Sequence, residues 1–377
     1  MKFENLLQDK LDAIGIEVTV GGNKPWDPRI LNEERCKKAI FTGELGVCEA
    51  FMDGAWDVRE PDTFFYRIFA AEKNPPIGTL FKHFFSLRQQ LKNGHKSVAF
   101  EVGKRHYDLD PELFKQVLDP TMAYTCAEWR FGADSLADAQ LTKLKRICRK
   151  LQLEPKERLL DIGSGWGSLI GFAAECCGVS ATGLTVAENQ AEFANRRYAG
   201  HTAETLTCDY RDHQSVEPYD KIASVGMFEH VGRSSFRTYM ECAHRLLKPD
   251  GLFLLHYISS PRGTIRLNPF LDTYIFPNSE VPGDADVAKA YTGLFRLETA
   301  ENIGADNYDR TLMAWLSNLN ASRATLRLSY PTFSERDYRM MHLYLASVAA
   351  SFRAKQFQVT QLVLSPRKSS RQYRWLP

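Results

Sequence analysis

Residues 159–167 read LLDIGSGWG, an apolar run that ends in Asp161 and enters a turn with glycine at 163, 165 and 167. Glycines so spaced let the backbone take positive φ and come close to a ligand. When such a turn joins a buried strand to a helix, the chain is committed to a strand–turn–helix unit with its loop at the strand's carboxyl end. The pattern downstream agrees. The helix from about Ser168 is followed by VSATGLTV, helix ENQAEFANRR, ETLTCDY, DKIASVGMF, helix SSFRTYMECAHRLLKPDG and LFLLHYIS. FRLETAENI, helices around 309–321 and 335–354, and FQVTQLVLS complete the series. Strand and helix alternating in this way imply parallel strands with crossover helices, a doubly wound α/β sheet of seven mostly parallel strands.

The rest of the 377-residue chain is organised around that domain. Residues 1–95 read as short helices broken by Gly and Pro, a smaller amino-terminal helical domain. Residues 96–377 form the α/β domain, with a Pro- and Asn-containing insertion at 259–290. Ala137, Leu141, Leu144, Cys148 and Leu151 recur at spacings of three and four, which predicts an amphipathic helix stopped by Pro155. From Phe64 to Leu91 the chain is rich in aromatic residues (Phe64, Phe65, Tyr66, Phe69, Phe81, Phe84, Phe85), with Lys82, His83, Arg88, Lys92, His95 and Lys96 among or after them. Two readings are open there: a helical core with a solvated edge, or a surface that meets lipid. The basic tail PRKSSRQYRWLP is likewise either a frayed end or an added attraction to anionic lipid.

Composition narrows the function classes. Apolar residues are 44% and charged residues 25%, the balance of a folded protein with a sizeable core. Lys+Arg number 48 against 46 Asp+Glu, so the net charge of +2 gives no reason to expect a nucleic-acid partner. No apolar run approaches the roughly 20 residues that span a bilayer, and the start MKFENLLQDK has no signal-peptide core. The eight cysteines show no CxxC pair or Cys/His cluster, so reduced cytoplasmic thiols are expected, with neither metal site nor disulfide framework.

Three motifs carry chemistry. The GSGWG loop lacks the dehydrogenase GxGxxG, the next strand ends in Thr185 rather than a ribose-binding acid, and CDYRD (208–212) adds polar groups at a further strand end. Together they resemble an S-adenosylmethionine-dependent methyltransferase domain. GMFEHVG (226–232) places Glu229 and His230 where the fourth strand meets the ligand crevice. On the next strand His256 follows four apolar residues; alone it reads as a hydrogen-bonded core histidine, beside Glu229 as a catalytic one. Finally, DPTMAYTCAEW (119–129) clusters Tyr124, Cys126 and Trp129 on a segment that would cap the crevice. A reactive Cys126 thiolate is one reading. The preferred one has Cys126 lend only a backbone N–H, because no adjacent base is visible.

With these residues in view, the chain resembles the bacterial cyclopropane-fatty-acyl-phospholipid synthases over nearly its whole length. The matching stretches include GELGVCEAFMDGAWD, VGKRHYDLDPELFKQVLDPTMAYTCAEW, LLDIGSGWG, SVGMFEHVG, FLLHYI, YIFPN and GADNYDRTLMAW. The resemblance implies an S-adenosylmethionine-dependent methyltransferase fold with a small helical amino-terminal domain. It also implies a homodimer, acting on unsaturated phospholipid as a peripheral protein at the inner face of the cytoplasmic membrane. The implied reaction adds the methyl of S-adenosylmethionine to a cis double bond, leaving a carbocation whose proton loss closes a three-membered ring. A bound bicarbonate ion takes the proton. Carried over by position, its holders are the N–H groups of Cys126 and Ile258 and the side chains of Glu229, His256 and Tyr308. The cofactor would contact Tyr124, Thr125, Gly163, Gly165, Thr185, Gln190, Tyr210 and Arg211. Departures are Ser164 where Cys is found, NPF (268–270) where DPW is common, and Glu128 where Tyr is usual. The first leaves the glycines intact, and the other two bear on lipid preference more than on reaction type. Alternative functions are a relative that leaves a methyl branch or oxygenated group on the acyl chain, one that methylates nitrogen in small molecules, and a lipid-binding protein with a vestigial cofactor site.

Overall fold

The three-glycine turn does what its composition requires. Gly163, Gly165 and Gly167 have φ of 89°, 52° and 82°, and the amides of Gly163 and Ser164 both donate to the Leu184 carbonyl at 2.9 Å. The strand before the turn is therefore hung on the end of its parallel neighbour. The structure, a computed structural model, describes residues 3–13, 15–71 and 111–375. Phe81, Phe84, Phe85, the basic residues from Lys82 to Lys96 and the VGKRHYDLD stretch lie outside the described residues.

Two compact units divide the chain. One comprises Met1–Lys92, Asn268–Pro277 and Tyr308–Gln356; the other comprises Asn93–Leu267, Asn278–Asn307 and Phe357–Pro377. Helices at 305–329 and 335–353, read from sequence as the end of the α/β series, thus fall largely in the unit that holds the amino terminus. The NPF segment does too. Asn268 caps helix Pro269–Tyr274 by accepting from the Leu271 amide at 2.8 Å, and Phe270 is buried.

In this first unit Phe51, Trp56 and Phe64 form an aromatic row with centroids 5.0 and 5.8 Å apart. Phe64 is thus core. Arg339 from helix Glu335–Arg353 donates to the carbonyls of Phe51 (2.6 Å) and Trp56 (3.0 Å). Arg353 joins Asp62 to Asp309, each at 2.9 Å. The capping box of Ser334 and Asp337 fixes where the helix carrying both arginines begins.

The second unit is built on the seven-stranded sheet. Its strands are β1 (Arg158–Ile162), β2 (Ser180–Thr185), β3 (Ala203–Thr207), β4 (Tyr219–Val225), β5 (Leu247–Ser259), β6 (Phe295–Asn302) and β7 (Gln358–Pro366). Their order is β6-β7-β5-β4-β1-β2-β3, with β7 antiparallel to both neighbours and the other pairings parallel. The chain runs outward one way from β1 and the other way from β4, so the switch point, and with it the ligand crevice, lies where β1 and β4 end.

The helix Leu136–Leu151 covers part of the sheet, capped by Ser135 accepting from the Asp138 amide. Leu144, Cys148 and Leu151 are buried as the spacing predicts, whereas Ala137 and Leu141 are only half-buried. The buried stripe also contains Gln140, Lys143, Arg146 and Lys150. The carboxyl-terminal tail is docked on this unit: Arg371 donates to Asp250 and Gln152, and the Tyr373 hydroxyl donates to the Lys150 carbonyl. Up to residue 375 the tail is therefore tied down and not frayed.

Candidate active site

The fourth strand ends in a turn whose anchor is aromatic. Phe228, fully buried, packs on Phe236, Tyr239 and Tyr257 with centroids 4.4, 5.2 and 5.9 Å away. That packing fixes the 3₁₀ turn Phe228–His230 and points Glu229 inward. Glu229 Oε1 accepts from the Ile258 amide of β5 at 2.6 Å, while Oε2 is buried without a partner. Burial pushes the Glu229 carboxyl up to about 7. A carboxylate with one oxygen pinned and the other left over is equipped to meet a ligand's proton or donor group.

His256 stands two residues before Ile258 and opposite Val225 of β4. It is buried, and its pKa is lowered to about 3 by burial, with the Lys143 and Lys150 ammonium groups adding to the effect. It lines a small cavity with Cys126, Ala127, Glu128, Lys143, Arg146, Ile303 and Gln361. His230, by contrast, is hydrogen-bonded through Nδ1 to the Ser279 hydroxyl at 2.7 Å.

The segment that carries Tyr124, Thr125 and Cys126 is held against the sheet by the helix Leu136–Leu151. Gln140 donates to the carbonyls of Ala123 (3.2 Å) and Thr125 (3.0 Å), and Lys143 donates to the Thr125 hydroxyl at 2.6 Å. Thr125 packs over Gly226 at the end of β4, where a Cβ would stand 2.5 Å from its methyl. Tyr124 packs edge-on against Phe114. The Cys126 thiol is buried and donates to the Ala127 carbonyl at 3.4 Å. Asn307 pins the residues that follow: its side chain accepts from the Trp129 amide at 2.8 Å and donates to Glu128 and the Ile303 carbonyl.

Around the glycine turn the remaining candidates separate by role. Gly163 faces Met227, which a Cβ would approach to 2.5 Å, whereas a Cβ at Gly165 would meet nothing within 4 Å. Asp161 is buried with Oδ1 unpartnered, and burial raises its pKa to about 7 despite the nearby Lys143. Lys143 itself is lowered to about 8 by burial. Thr185 and Gln190 share a 2.8 Å hydrogen bond at the end of β2. Arg211 forks onto Asp209 at 2.8 and 2.6 Å, and Tyr210 packs edge-on against Tyr239. The open space at Gly165 and the unpartnered Asp161 oxygen fit a ligand with polar groups lying across the turn.

The structure thus brings Cys126 and His256 to one cavity and ties Glu229 to Ile258. The Ile258 amide, expected to face an anion, donates to Glu229. Tyr308 lies in the first turn of helix Ala305–Ser329, is counted in the other unit, and packs on Phe352 at 4.7 Å. Sequence reasoning missed Lys143, Lys150, Gln361 and Asn307. Gln140, Lys143 and Lys150 recur at the helical spacing of the apolar stripe, a signal that could have marked them as inward-facing. Glu128, read as a position bearing on lipid preference, is buried and pairs with the exposed Arg130 at 2.6 Å.

A doubly wound sheet of this strand order, with a glycine turn at β1 and a buried carboxylate after β4, defines a methyltransferase-type α/β enzyme. Comparison with known proteins narrows the class. Residues 95–362 match the family model for mycolic acid cyclopropane synthetase, and the chain belongs to that family. It is 40% identical over 350 residues to the cyclopropane-fatty-acyl-phospholipid synthase of Escherichia coli K12, covering 92% of this chain and 90% of the relative. Among solved structures, the cyclopropane synthase MmaA2 from Mycobacterium tuberculosis superposes with a TM-score of 0.64 at 30% identity, covering 70% of this chain and 97% of that one. The mycolic acid cyclopropane synthase CmaA1, complexed with SAH and CTAB, gives the same score, identity and coverage. The fold class and the family expected from the motifs are those found.

Proposed function

We propose that the protein transfers a methylene group from S-adenosylmethionine to the cis double bond of an unsaturated acyl chain in a membrane phospholipid. The product is a cyclopropane fatty acyl chain. The observation that carries the reading beyond family membership is Glu229, buried, with one oxygen held by the Ile258 amide and the other unpartnered. When bound, S-adenosylmethionine supplies an electrophilic methyl and bicarbonate supplies a proton acceptor.

The chain's own residues bind and orient. Tyr124, Thr125, Gly163, Gly165, Thr185, Gln190, Tyr210 and Arg211 are the proposed cofactor site. Within it Gly165 gives close approach, and the Thr185–Gln190 and Asp209–Arg211 pairs hold their side chains in place. Glu229, His256, Tyr308 and the Cys126 amide are the proposed holders of bicarbonate, and Ile258 acts by orienting Glu229. A weak base so fixed suffices, because a carbocation next to a methyl is a very strong acid. The cavity beside His256 carries more cations than carboxylates, which favours an anion there. Among the described residues no helix is long and apolar enough to cross a membrane. The resemblance to the bacterial synthases supports a protein that meets lipid peripherally, at the inner face of the cytoplasmic membrane, as a homodimer.

Incubation with S-adenosylmethionine and vesicles of monounsaturated phospholipid, followed by mass spectrometry and proton NMR of the released fatty acids, tests the reaction. A gain of one CH2 with upfield ring protons is expected. Vinylic or methyl-doublet signals would move the protein to a methyl-branching relative, and no gain with cofactor bound would point to a non-lipid acceptor. Depleting bicarbonate should lower the rate; an unchanged rate in degassed buffer would remove that ion from the site.

A further inference from the structure

One row of side chains crosses three strands beside the proposed site. Glu301 on β6 is the cross-strand partner of Gln361 on β7, and Gln361 is the cross-strand partner of His256 on β5. Side chains paired in this way stand on the same face of the sheet. Lys150, wholly buried on the helix Leu136–Leu151, donates from Nζ to both Glu301 Oε2 and Gln361 Oε1. Gln361 in turn lies with Nε2 3.2 Å from His256 Nδ1.

The direction of this chain follows from what each group can do. An ammonium only donates, so the Gln361 amide must turn its oxygen to Lys150 and its NH2 to the histidine. An amide NH2 also only donates. His256 Nδ1 must then carry the lone pair, and the single proton of the neutral ring sits on Nε2. We infer that Lys150 and Gln361 are positioning residues that fix His256 as the Nε2–H tautomer, a hydrogen-bond donor to the anion of the site and not a base. The part that concerns the anion rests on the function proposed above; the tautomer does not.

Two further features support the assignment. Arg130, Arg146 and Lys150 surround the carboxylates of Glu128 and Glu301, so Lys150 is held by a charge cluster and not by Gln361 alone. Burial and the Lys143 and Lys150 charges also keep His256 from taking a second proton. A group with no access to its charged form serves a bound anion by donating, as an oxyanion-hole residue does.

The test uses full-length protein labelled with ¹⁵N in its histidine rings, the His256 signals being those absent from His256→Asn. In the unliganded protein, Nδ1 should show the shift of an unprotonated nitrogen and Nε2 that of an N–H, unchanged from about pH 6 to about pH 9. Lys150→Met frees the amide to turn, and should move proton density onto Nδ1 and lower vesicle turnover about tenfold or more. Its affinity for S-adenosylmethionine, by calorimetry, should stay as it was. Lys150→Arg, still a pure donor, should keep the single tautomer and recover most of the turnover. If Lys150→Met does not fold, Gln361→Glu serves: it keeps the shape, replaces the donor by an acceptor, and should draw the proton to Nδ1. A wild-type Nδ1–H, or a tautomer indifferent to both variants, would overturn the inference whatever the activity. Wild-type protein with the stated tautomer but no lipid product would sink the proposed reaction and leave the tautomer assignment standing.

Discussion

Glu229 is the side chain on which the proposed chemistry most depends. Its Oε1 has a partner in the Ile258 amide, its Oε2 has none, and its pKa stands near 7 against an ordinary 4.5. Glu229→Gln keeps an oxygen for Ile258 and removes the carboxylate. Turnover should fall by about 100-fold or more while calorimetric affinity for S-adenosylmethionine is kept; equal loss of both would make Glu229 structural. The same substitution has a pH signature. Between pH 4.5 and about 7 the folded state holds the Glu229 proton that the unfolded chain has already lost, so stability falls as pH rises through that window. Glutamine has no proton to lose. The stability of Glu229→Gln relative to wild type should therefore grow across that range, by up to about 3 kcal/mol, in urea melts at several pH values. A pH-independent difference would mean that the carboxyl is not desolvated. At this scale the sequence made Glu229 and His256 legible through GMFEHVG and the histidine in an apolar strand. It left Gln361 dark, because a glutamine in an apolar strand gives no local sign of the partners it will meet, and it showed Lys150 only as a position on the inward stripe of its helix.

At the scale of elements, the turn after β1 separates Gly163, which its own packing requires, from Gly165, whose proposed role is to admit the cofactor. A Cβ on Gly163 would press on the Met227 side chain at 2.5 Å, and the residue has φ 89°. Gly163→Ala should thus cost about 2 kcal/mol or more. Gly165 has φ 52° and open space where its Cβ would go. Gly165→Ala should cost only about 1 kcal/mol, yet weaken S-adenosylmethionine binding about tenfold or more, since its methyl would occupy the ligand's approach. Thermal melts and calorimetry on the two variants check the contrast, and equal affinity loss without destabilisation in both would defeat it. The turn itself was legible, because few residues other than glycine adopt three positive φ values at alternate positions. The helix at 136–151 was legible as an element and in its apolar face, but not in the charged side chains that share that face. Its periodicity marked Leu144, Cys148 and Leu151, whereas Lys143 and Lys150 turn inward because Thr125, Glu301 and Gln361 supply acceptors there.

For the whole molecule, chain order and spatial order part company. The amino-terminal segment packs on helix Glu335–Arg353, whose Arg339 reaches Phe51 and Trp56 and whose Arg353 reaches Asp62. A fragment of residues 1–95 should accordingly lack cooperative thermal unfolding by circular dichroism; a sharp transition would show that it folds alone. Composition and periodicity suffice to establish an α/β sheet, its strand sequence, the glycine turn and the residues at two strand ends, because those features depend on contacts near in sequence and on a repeating pattern of burial. Only the tertiary structure decides that distant segments at 268–277 and 308–356 complete the first unit. It alone aligns Glu301, Gln361 and His256 in one row and brings Lys150 over them. Those relations depend on which strands lie side by side, and strand order is fixed by long-range packing that no local pattern encodes.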